Sequence, residues 1–298
     1  MKVDVIEAGF AAASKGDFHA VNEIAKRTKY AQVCSLARHR EPDIDAAGEA
    51  IKPARDGRIH TFISTSDIHL KYQFKMTKDE VIVAIEKILK RAKKYTDNIE
   101  WSAMDATRSE RGFLFKAIET AIKHGATTVN IPDTVGFAIP EEYGQLIKDI
   151  RNNVPNIDKA IISVHCQNDL GLATANSLSA IQNGARQIEC TINGIGERAG
   201  NTALEEVVMA IKTRRDFLNF DVGVVTEHIS KLSKQVSMFT GFIVQNNKAI
   251  VGANAFAHES GIHQHGVLNN PETYEIMKPE SIGLEKNSLP LGKLSGSH

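Results

Sequence analysis

Residue types that bind divalent cations follow an apolar strand pattern in the middle of the chain. The run AIISVH (160–165) ends in His165, and Gln167 follows two positions later. Side chains i and i+2 of a strand face the same side, so these two are predicted to point the same way. An imidazole nitrogen and an amide oxygen suit a divalent ion such as Mn2+, Mg2+ or Zn2+. The alternative interpretation is a hydrogen-bonded polar strand end without a metal.

A glycine-rich segment, NGIGERAGN (193–201), follows the next strand pattern and leads into a predicted helix. Glycines let backbone amides approach a ligand closely, and a helix N-terminus favours anions such as phosphate. Glu197 and Arg198 lie inside this loop. Asn201 brings a further amide oxygen to the sheet end where His165 is expected. The alternative is an ordinary turn between a strand and a helix.

Other polar candidates stand at neighbouring strand patterns and in the C-terminal part. His60 lies in the strand pattern RIHTFIS (58–64), Ser102 lies at the end of another, and Thr134 follows a third. A hydroxyl at such a position could bind a substrate carboxylate, although Ser and Thr are usually structural there. His263 belongs to a histidine-rich stretch and could transfer a proton near neutral pH. The alternative for it is a surface cluster without a role.

The predicted secondary structure that carries these residues alternates between strands and helices. Seven strand-then-helix units occupy about 215 residues, which predicts a parallel sheet with helical crossovers. We expect a (β/α)8 barrel lacking its first βα unit, followed by part of an α-rich linker subdomain. A doubly wound sheet is the alternative, but the first turn (EAGF, 7–10) is not GxGxxG, and polar residues cluster at strand ends. Capping boxes are predicted at Thr77 with Glu80 and at Thr202 with Glu205.

Composition excludes several classes of protein. The 298 residues are 42% hydrophobic and 24% charged, as in ordinary globular proteins. Lys+Arg and Asp+Glu both number 36, so the basic excess of a nucleic-acid-binding protein is missing. No apolar run approaches a membrane span. The three cysteines predict a reducing compartment and buried thiols.

Taken together, these segments resemble the 2-isopropylmalate synthase family, in the Claisen-condensing branch of the DRE-TIM metallolyase superfamily. The resemblance rests on IEAGF (6–10), HTFISTS (60–66), NIPDTVG (130–136), SVHCQNDLGLATAN (163–176), INGIGERAGN (192–201) and AFAHESGIHQ (255–264). It implies a catalytic TIM barrel over residues 1–215, incomplete at its N-terminus, and a truncated linker subdomain over 216–298. The regulatory domain of the family is not expected in this sequence. The implied enzyme is an acyltransferase that condenses acetyl-CoA with 2-oxoisovalerate in leucine biosynthesis.

The resemblance also implies a role for each candidate residue. Metal ligands would be His165, Gln167 and Asn201, with Mn2+, Mg2+ or Zn2+ as the ion. Substrate contacts would be His60, Ser102 and Thr134, and the catalytic histidine would be His263, acting in the partner subunit of a homodimer. The loop residues that would contact acetyl-CoA, or hold the metal ligands in place, are Gly194, Gly196, Glu197 and Arg198. The expected location is the cytoplasm, or an organelle if a transit peptide precedes the chain.

Five features depart from the family pattern. The usual Arg-Asp pair of the opening strand would precede Met1. Gln167 replaces a histidine, Met104 a glutamate, His265 an aspartate and Ser297 an arginine. We therefore expect weak or no turnover from this chain alone. The alternatives are a related synthase, for citramalate, homocitrate or methylthioalkylmalate, and a non-catalytic fragment that pairs with an intact subunit.

Overall fold

The computed structural model describes residues 1–285 and 288–290. Ser297, one of the departures from the family pattern, therefore lies outside the described residues. The described chain divides into two compact units. The sheet unit comprises residues 3–190 and 196–202, and the helical unit comprises 1–2, 191–195 and the residues from 203 onward. The predicted boundary at 215/216 stays a prediction. Within the described part of the chain, no helix is both long enough and apolar enough to cross a membrane.

Seven parallel strands form one sheet in the order β1 to β7. Each pairs in parallel with the next along the chain. The strands are β1 Val5–Gly9, β2 Gln32–Arg38, β3 Gly57–Ser64, β4 Ile99–Met104, β5 Thr128–Asp133, β6 Ile161–Cys166 and β7 Gln187–Glu189.

Helices of the sheet unit connect these strands, and further helices build the helical unit. The connecting helices are α1 Lys15–Arg27, α2 Glu41–Ile51, α3 Asp67–His69, α4 Lys78–Ala92, α5 Arg111–Lys123, α6 Pro140–Asn153 and α7 Ala173–Gln182. Those of the helical unit are α8 Leu204–Thr213, α9 Arg215–Leu218, α10 Ile229–Thr240 and α11 Gly261–Asn269.

The sheet curls, as a barrel sheet must. Arg58 on β3 donates a hydrogen bond to Gln187 on β7 at 2.8 Å. These strands are four positions apart, which a flat sheet would separate by roughly 19 Å. Contact at hydrogen-bond distance therefore requires strong curvature. The parallel order and this curvature confirm the predicted β/α-barrel class.

Burial separates the two faces of the sheet. Apolar strand residues such as Ile59, Trp101 and Val129 are fully buried. They pack with apolar helix residues, of which Ile85 on α4 and Leu114 on α5 are examples with no exposure. The concave face of the sheet carries polar side chains, and these build the site described below.

One predicted capping box is confirmed and the other is wrong. Thr77 accepts from the backbone of Glu80, and the Glu80 carboxylate accepts from the backbone of Thr77 at 2.8 Å. Helix α8 instead begins after Ala203 without a side-chain cap. The hydroxyl of Thr202 bonds to Ser177 at 2.8 Å, so it is engaged within the sheet unit. Glu205 accepts from the backbone N–H of Asn193 at 3.0 Å.

His39 makes the stability of the fold sensitive to acid. Burial lowers its pKa from about 6.5 to about 4. In the unfolded chain His39 therefore becomes protonated below about pH 6.5, whereas in the folded chain it becomes protonated only near pH 4. Between these values, falling pH should progressively remove up to about 3 kcal/mol from the free energy of unfolding. Urea unfolding between pH 7 and 4 would measure this slope.

The substitution His39→Asn should flatten that pH dependence. His19 is exposed on α1, so His19→Asn is the matched control and should keep the wild-type slope. An unchanged slope in His39→Asn would contradict the assignment.

Candidate active site

His60 is the centre of a buried hydrogen-bonded chain across the concave face. Its Nδ1 lies 2.6 Å from a carboxylate oxygen of Glu7 on β1, and its Nε2 lies 2.7 Å from Ser102 Oγ on β4. Burial alone would lower the pKa of His60, but neighbouring carboxylates, chiefly Glu7 and Glu189, outweigh it and raise the pKa to about 10. His60 is therefore an imidazolium that donates to both neighbours. It faces away from Thr61, as strand alternation predicts.

Two hydroxyl groups on this face are oriented as donors. Ser102 Oγ accepts from His60 Nε2 at 2.7 Å and from the Asn130 amide at 2.9 Å. Thr134, directly after β5, accepts from the backbone N–H of Asp105 at 2.9 Å. Each oxygen is used as an acceptor, so each hydroxyl hydrogen remains to be donated. Two such donors suit a carboxylate.

The predicted metal ligands lie at the end of β6 and in the glycine-rich loop that follows β7. His165 Nε2 lies 3.3 Å from the Gln167 amide nitrogen, so both side chains face the same side. Gln167 and Asn201 form an antiparallel backbone bridge. On the other side of the ring, Nδ1 of His165 lies 2.7 Å from Glu189 on β7. Burial lowers the pKa of His165, but Glu189 outweighs this effect and raises it.

This arrangement fits a divalent cation. The Gln167 Oε1 atom is buried and makes no hydrogen bond within the described residues. An unsatisfied buried acceptor costs about 1–3 kcal/mol, which a cation would offset. Glu189 accepts from Nδ1–H of His165, which leaves Nε2 as the ring atom for a metal. Metal-ligating histidines commonly donate their other ring N–H to a carboxylate in this way. Imidazole and amide donors suit Mn2+, Mg2+ or Zn2+.

The glycine-rich loop is tied to the same end of the sheet. A side chain at Gly196 would collide with the Asn201 side-chain amide, so a larger residue there would have to displace that amide. Arg198 makes two hydrogen bonds to Asp169, at 2.7 and 2.9 Å, and one to the Thr134 carbonyl at 2.9 Å. The Arg198 guanidinium is therefore held by hydrogen bonds to other residues of the chain. Glu197 is exposed, and Gly194, in the helical unit, has a φ of +66° that favours glycine.

His263 lies on α11 in the helical unit. Its ring stacks on Tyr274 with centroids 4.0 Å apart, and it makes an edge contact with His258 at 6.1 Å. His258 in turn lies 3.1 Å from the Glu275 carboxylate. His265 is exposed on the same helix.

A buried ion pair on the same face has no counterpart in the sequence-based prediction. Arg58 and Glu100 pair at 2.9 Å with side chains 5% and 3% exposed. Gln187 accepts from Arg58 and donates to Glu100, each at 2.8 Å. Gln187 also donates to Ser163 at 2.9 Å. The pair therefore links β3, β4, β6 and β7 across the concave face.

Sequence reasoning missed five functional-face residues: Glu7, Arg58, Glu100, Asn130 and Glu189. A charged or amide residue inside an apolar strand pattern was the available signal, because such side chains are rarely buried unless paired. Their hydrogen-bond and ion-pair partners lie on other strands, so the spacing of residues along the sequence does not predict them. Met104, flagged as a departure, is half-buried, and its carbonyl accepts from Ser64 at 2.9 Å.

Fold and site together define a β/α-barrel protein with a polar cluster suited to a metal and a carboxylate. A family model described as HMGL-like matches residues 1–236, so the chain belongs to the HMGL-like family. A second model, described as homocitrate synthase post-HMGL domain-like, matches residues 250–298.

Curated relatives of high sequence identity carry a more specific name than the family models do. The 2-isopropylmalate synthase of Aquifex aeolicus is 64% identical over 299 residues, covering 100% of this chain and 58% of the relative. That of Rhodopseudomonas palustris is 61% identical over 298 residues, covering 100% and 57%. The chain thus spans little more than half the length of these relatives. An HMG-CoA lyase structure from Acinetobacter baumannii shares the fold, with TM-score 0.67, 18% identity and 84% of each chain covered.

Proposed function

We propose that this chain carries the condensing site of a 2-isopropylmalate synthase, an acyltransferase that joins acetyl-CoA to 2-oxoisovalerate in leucine biosynthesis. The observation that carries the proposal is the 64% identity to such a synthase along the whole chain. The donor arrangement at the strand ends supports it, because it offers hydroxyl donors for a 2-oxo acid carboxylate beside imidazole and amide metal ligands.

Each residue has a role in this proposal. Ser102 and Thr134 donate to the carboxylate of the acceptor, and the His60 imidazolium holds Ser102 in the donor orientation. His165, Gln167 and Asn201 hold a divalent cation, which when bound would polarise the acceptor carbonyl. Glu189 keeps the proton of His165 on Nδ1. The loop residues Gly194, Gly196, Glu197 and Arg198 are assigned to acetyl-CoA contacts or to ordering the metal ligands.

Proton removal from the acetyl methyl group is assigned to His263. Its stacking on Tyr274 fixes the ring plane, and imidazole is the side chain most often used for general acid–base catalysis. The proposal places this histidine in the partner subunit of a homodimer, in the cytoplasm. Carbon–carbon bond formation by the resulting enolate, followed by hydrolysis of the thioester, would release CoA.

The charge around the site favours 2-oxoisovalerate over 2-oxoglutarate. A second carboxylate on the acceptor would need a cation. Arg58, Arg108 and Arg198 are each paired with a carboxylate, at 2.9, 2.8 and 2.7 Å. Their charge is already balanced, which supports an uncharged acceptor side chain.

CoA release, followed with a thiol reagent, tests the activity. The assay compares 2-oxoisovalerate, pyruvate and 2-oxoglutarate, each with and without Mn2+. Weak, metal-dependent release with 2-oxoisovalerate alone is the expected result, because the positions that depart from the family pattern should lower turnover. Release with another acceptor instead would favour a citramalate or homocitrate synthase. Neither release nor 2-oxoisovalerate binding, from folded protein, would favour a non-catalytic subunit.

The substitution Ser102→Ala tests the carboxylate contact. A hydrogen bond to a charged group contributes about 1.5–3 kcal/mol, so calorimetry with Mn2+ should show 2-oxoisovalerate binding weakened by roughly 10-fold or more. Thr120→Ala is the control, because that hydroxyl bonds to a carbonyl of its own helix α5. Equal affinities of Ser102→Ala and wild type would exclude Ser102 from the acceptor site.

A further inference from the structure

Three adjacent strands bring a carboxylate, a thiol and an imidazole together beside the candidate active site. Glu7, Cys34 and His60 lie on β1, β2 and β3, and their ligand atoms are all within 4.8 Å of one another. We propose that these three residues bind a thiophilic divalent cation, Zn2+ or Cd2+, at a site distinct from His165, Gln167 and Asn201. This proposal does not depend on the function proposed above.

One of the two ligand distances already fits a tetrahedral site, and the other must lengthen. Glu7 Oε2 lies 2.6 Å from His60 Nδ1 and 3.8 Å from Cys34 Sγ. With metal–sulfur bonds near 2.3 Å and metal–nitrogen or metal–oxygen bonds near 2.0–2.2 Å, ligand atoms lie roughly 3.3–3.8 Å apart. Small side-chain movements would therefore admit the ion. Glu7 is the side chain best able to move, because it is 43% exposed, and it also gives the ion a route from solvent.

A fourth ligand is available without rearranging the sheet. The Glu189 Oε1 atom lies 3.8 Å from His60 Nδ1, the same ring atom that faces Glu7. The other oxygen of Glu189 accepts from His165. The two sites are thus separated by the Glu189 carboxylate and the His165 ring, whose Nε2 faces Gln167 on the far side.

Charge and ligand chemistry select the cation. His60 is surrounded by the carboxylates of Glu7, Glu100 and Glu189, of which Glu100 is paired with Arg58. The carboxylates of Glu7 and Glu189 leave a surplus of negative charge beside His60, which favours a cation. One sulfur, one nitrogen and carboxylate oxygens suit Zn2+ or Cd2+, whereas Mg2+ and Mn2+ prefer oxygen.

Binding releases two protons to solvent. Cys34 gives up its S–H proton and His60 its Nδ1 proton, and bonds form from sulfur, nitrogen and a Glu7 oxygen to the metal. Burial, followed by the charge of Glu7, raises the pKa of the Cys34 thiol, so the thiol stays protonated until a metal is bound. His60 keeps its Nε2 hydrogen, and its hydrogen bond to Ser102 is preserved.

Thiolate ligation has a spectroscopic signature that the His165 site lacks. The full chain, freed of metal, would be titrated with Co2+ as a coloured substitute for Zn2+, and then with Cd2+. We expect an ultraviolet thiolate-to-metal absorption whose amplitude at saturation corresponds to one thiolate-bound ion per chain. Zn2+ should displace the Co2+ signal, and Mg2+ in excess should not.

Variants assign the signal to Cys34. Cys34→Ser and Cys34→Ala should lose the thiolate absorption, whereas Cys166→Ser and Cys190→Ser should keep it. Glu7→Gln should keep the absorption but weaken metal affinity by about 10-fold or more, which tests the site even if the buried cysteine variants unfold. His165→Ala should keep the thiolate absorption, because it leaves Cys34 in place. No thiolate absorption in the wild-type chain, or an absorption that survives in a folded Cys34 variant, would overturn the proposal.

Discussion

Replacing Arg58 by alanine is expected to lower the free energy of unfolding by about 3–5 kcal/mol, because it leaves the Glu100 carboxylate buried without its partner. Burial already raises the pKa of Glu100, so the ionised form depends on its neighbours. Gln187 and Asn98 would also lose a hydrogen-bond donor, since Arg58 donates to both at 2.8 Å. Chemical denaturation at pH 7 measures the loss.

An exposed ion pair provides the matched control. Lys87 and Glu41 pair at 2.8 Å with side chains 69% and 41% exposed. Lys87→Ala should therefore cost less than about 1 kcal/mol. The double substitution Arg58→Met with Glu100→Leu removes both buried charges and should recover part of the loss. If Arg58→Ala were no more destabilising than Lys87→Ala, the buried pair would not be important to the fold.

The second large effect concerns metal affinity. His165→Ala removes a proposed ligand and should abolish measurable Mn2+ binding at that site. Glu189→Ala leaves the ligand in place but removes the acceptor at 2.7 Å that fixes its proton on Nδ1. Loss of such a partner weakens metal binding by about 10–100-fold. Titration calorimetry with Mn2+ measures both effects without depending on turnover.

Two further variants separate orientation from charge. Glu189→Gln keeps an acceptor oxygen for the His165 N–H, so it should lose less affinity than Glu189→Ala. Glu119→Ala removes an equal charge from an exposed position on α5 and should bind Mn2+ as the wild type does. Wild-type affinity in Glu189→Ala would show that Glu189 does not orient the ligand.

Local features of the sequence were predictable because they depend on neighbours along the chain. The Thr77 capping box needs only a hydroxyl and a carboxylate three residues apart, and it formed. The same pattern at Thr202 failed, because Ser177, 25 residues earlier, accepts or donates a hydrogen bond with that hydroxyl at 2.8 Å. A short-range pattern is thus decisive only where no distant partner competes for the same atom.

The candidate site was predictable in part for the same reason. The i, i+2 spacing of His165 and Gln167 places both on one face, whatever surrounds them. The loop Arg198 was singled out by its sequence context, but its bond to Asp169 shows a partner that spacing did not indicate. His60 was identified from a motif, whereas its charged state depends on Glu7 and Glu189 from two other strands.

Hydrophobic periodicity was enough to predict the alternation of strands and helices, the parallel sheet and the strand ends where polar groups collect, because periodicity is a property of short segments. Which charged groups meet could be seen only in the folded chain. Arg58 reaches Gln187, and His60 comes within 3.8 Å of Glu189, because the sheet curls until β3 faces β7. Curvature sums small twists over many strands, so no single segment encodes the contacts that it creates.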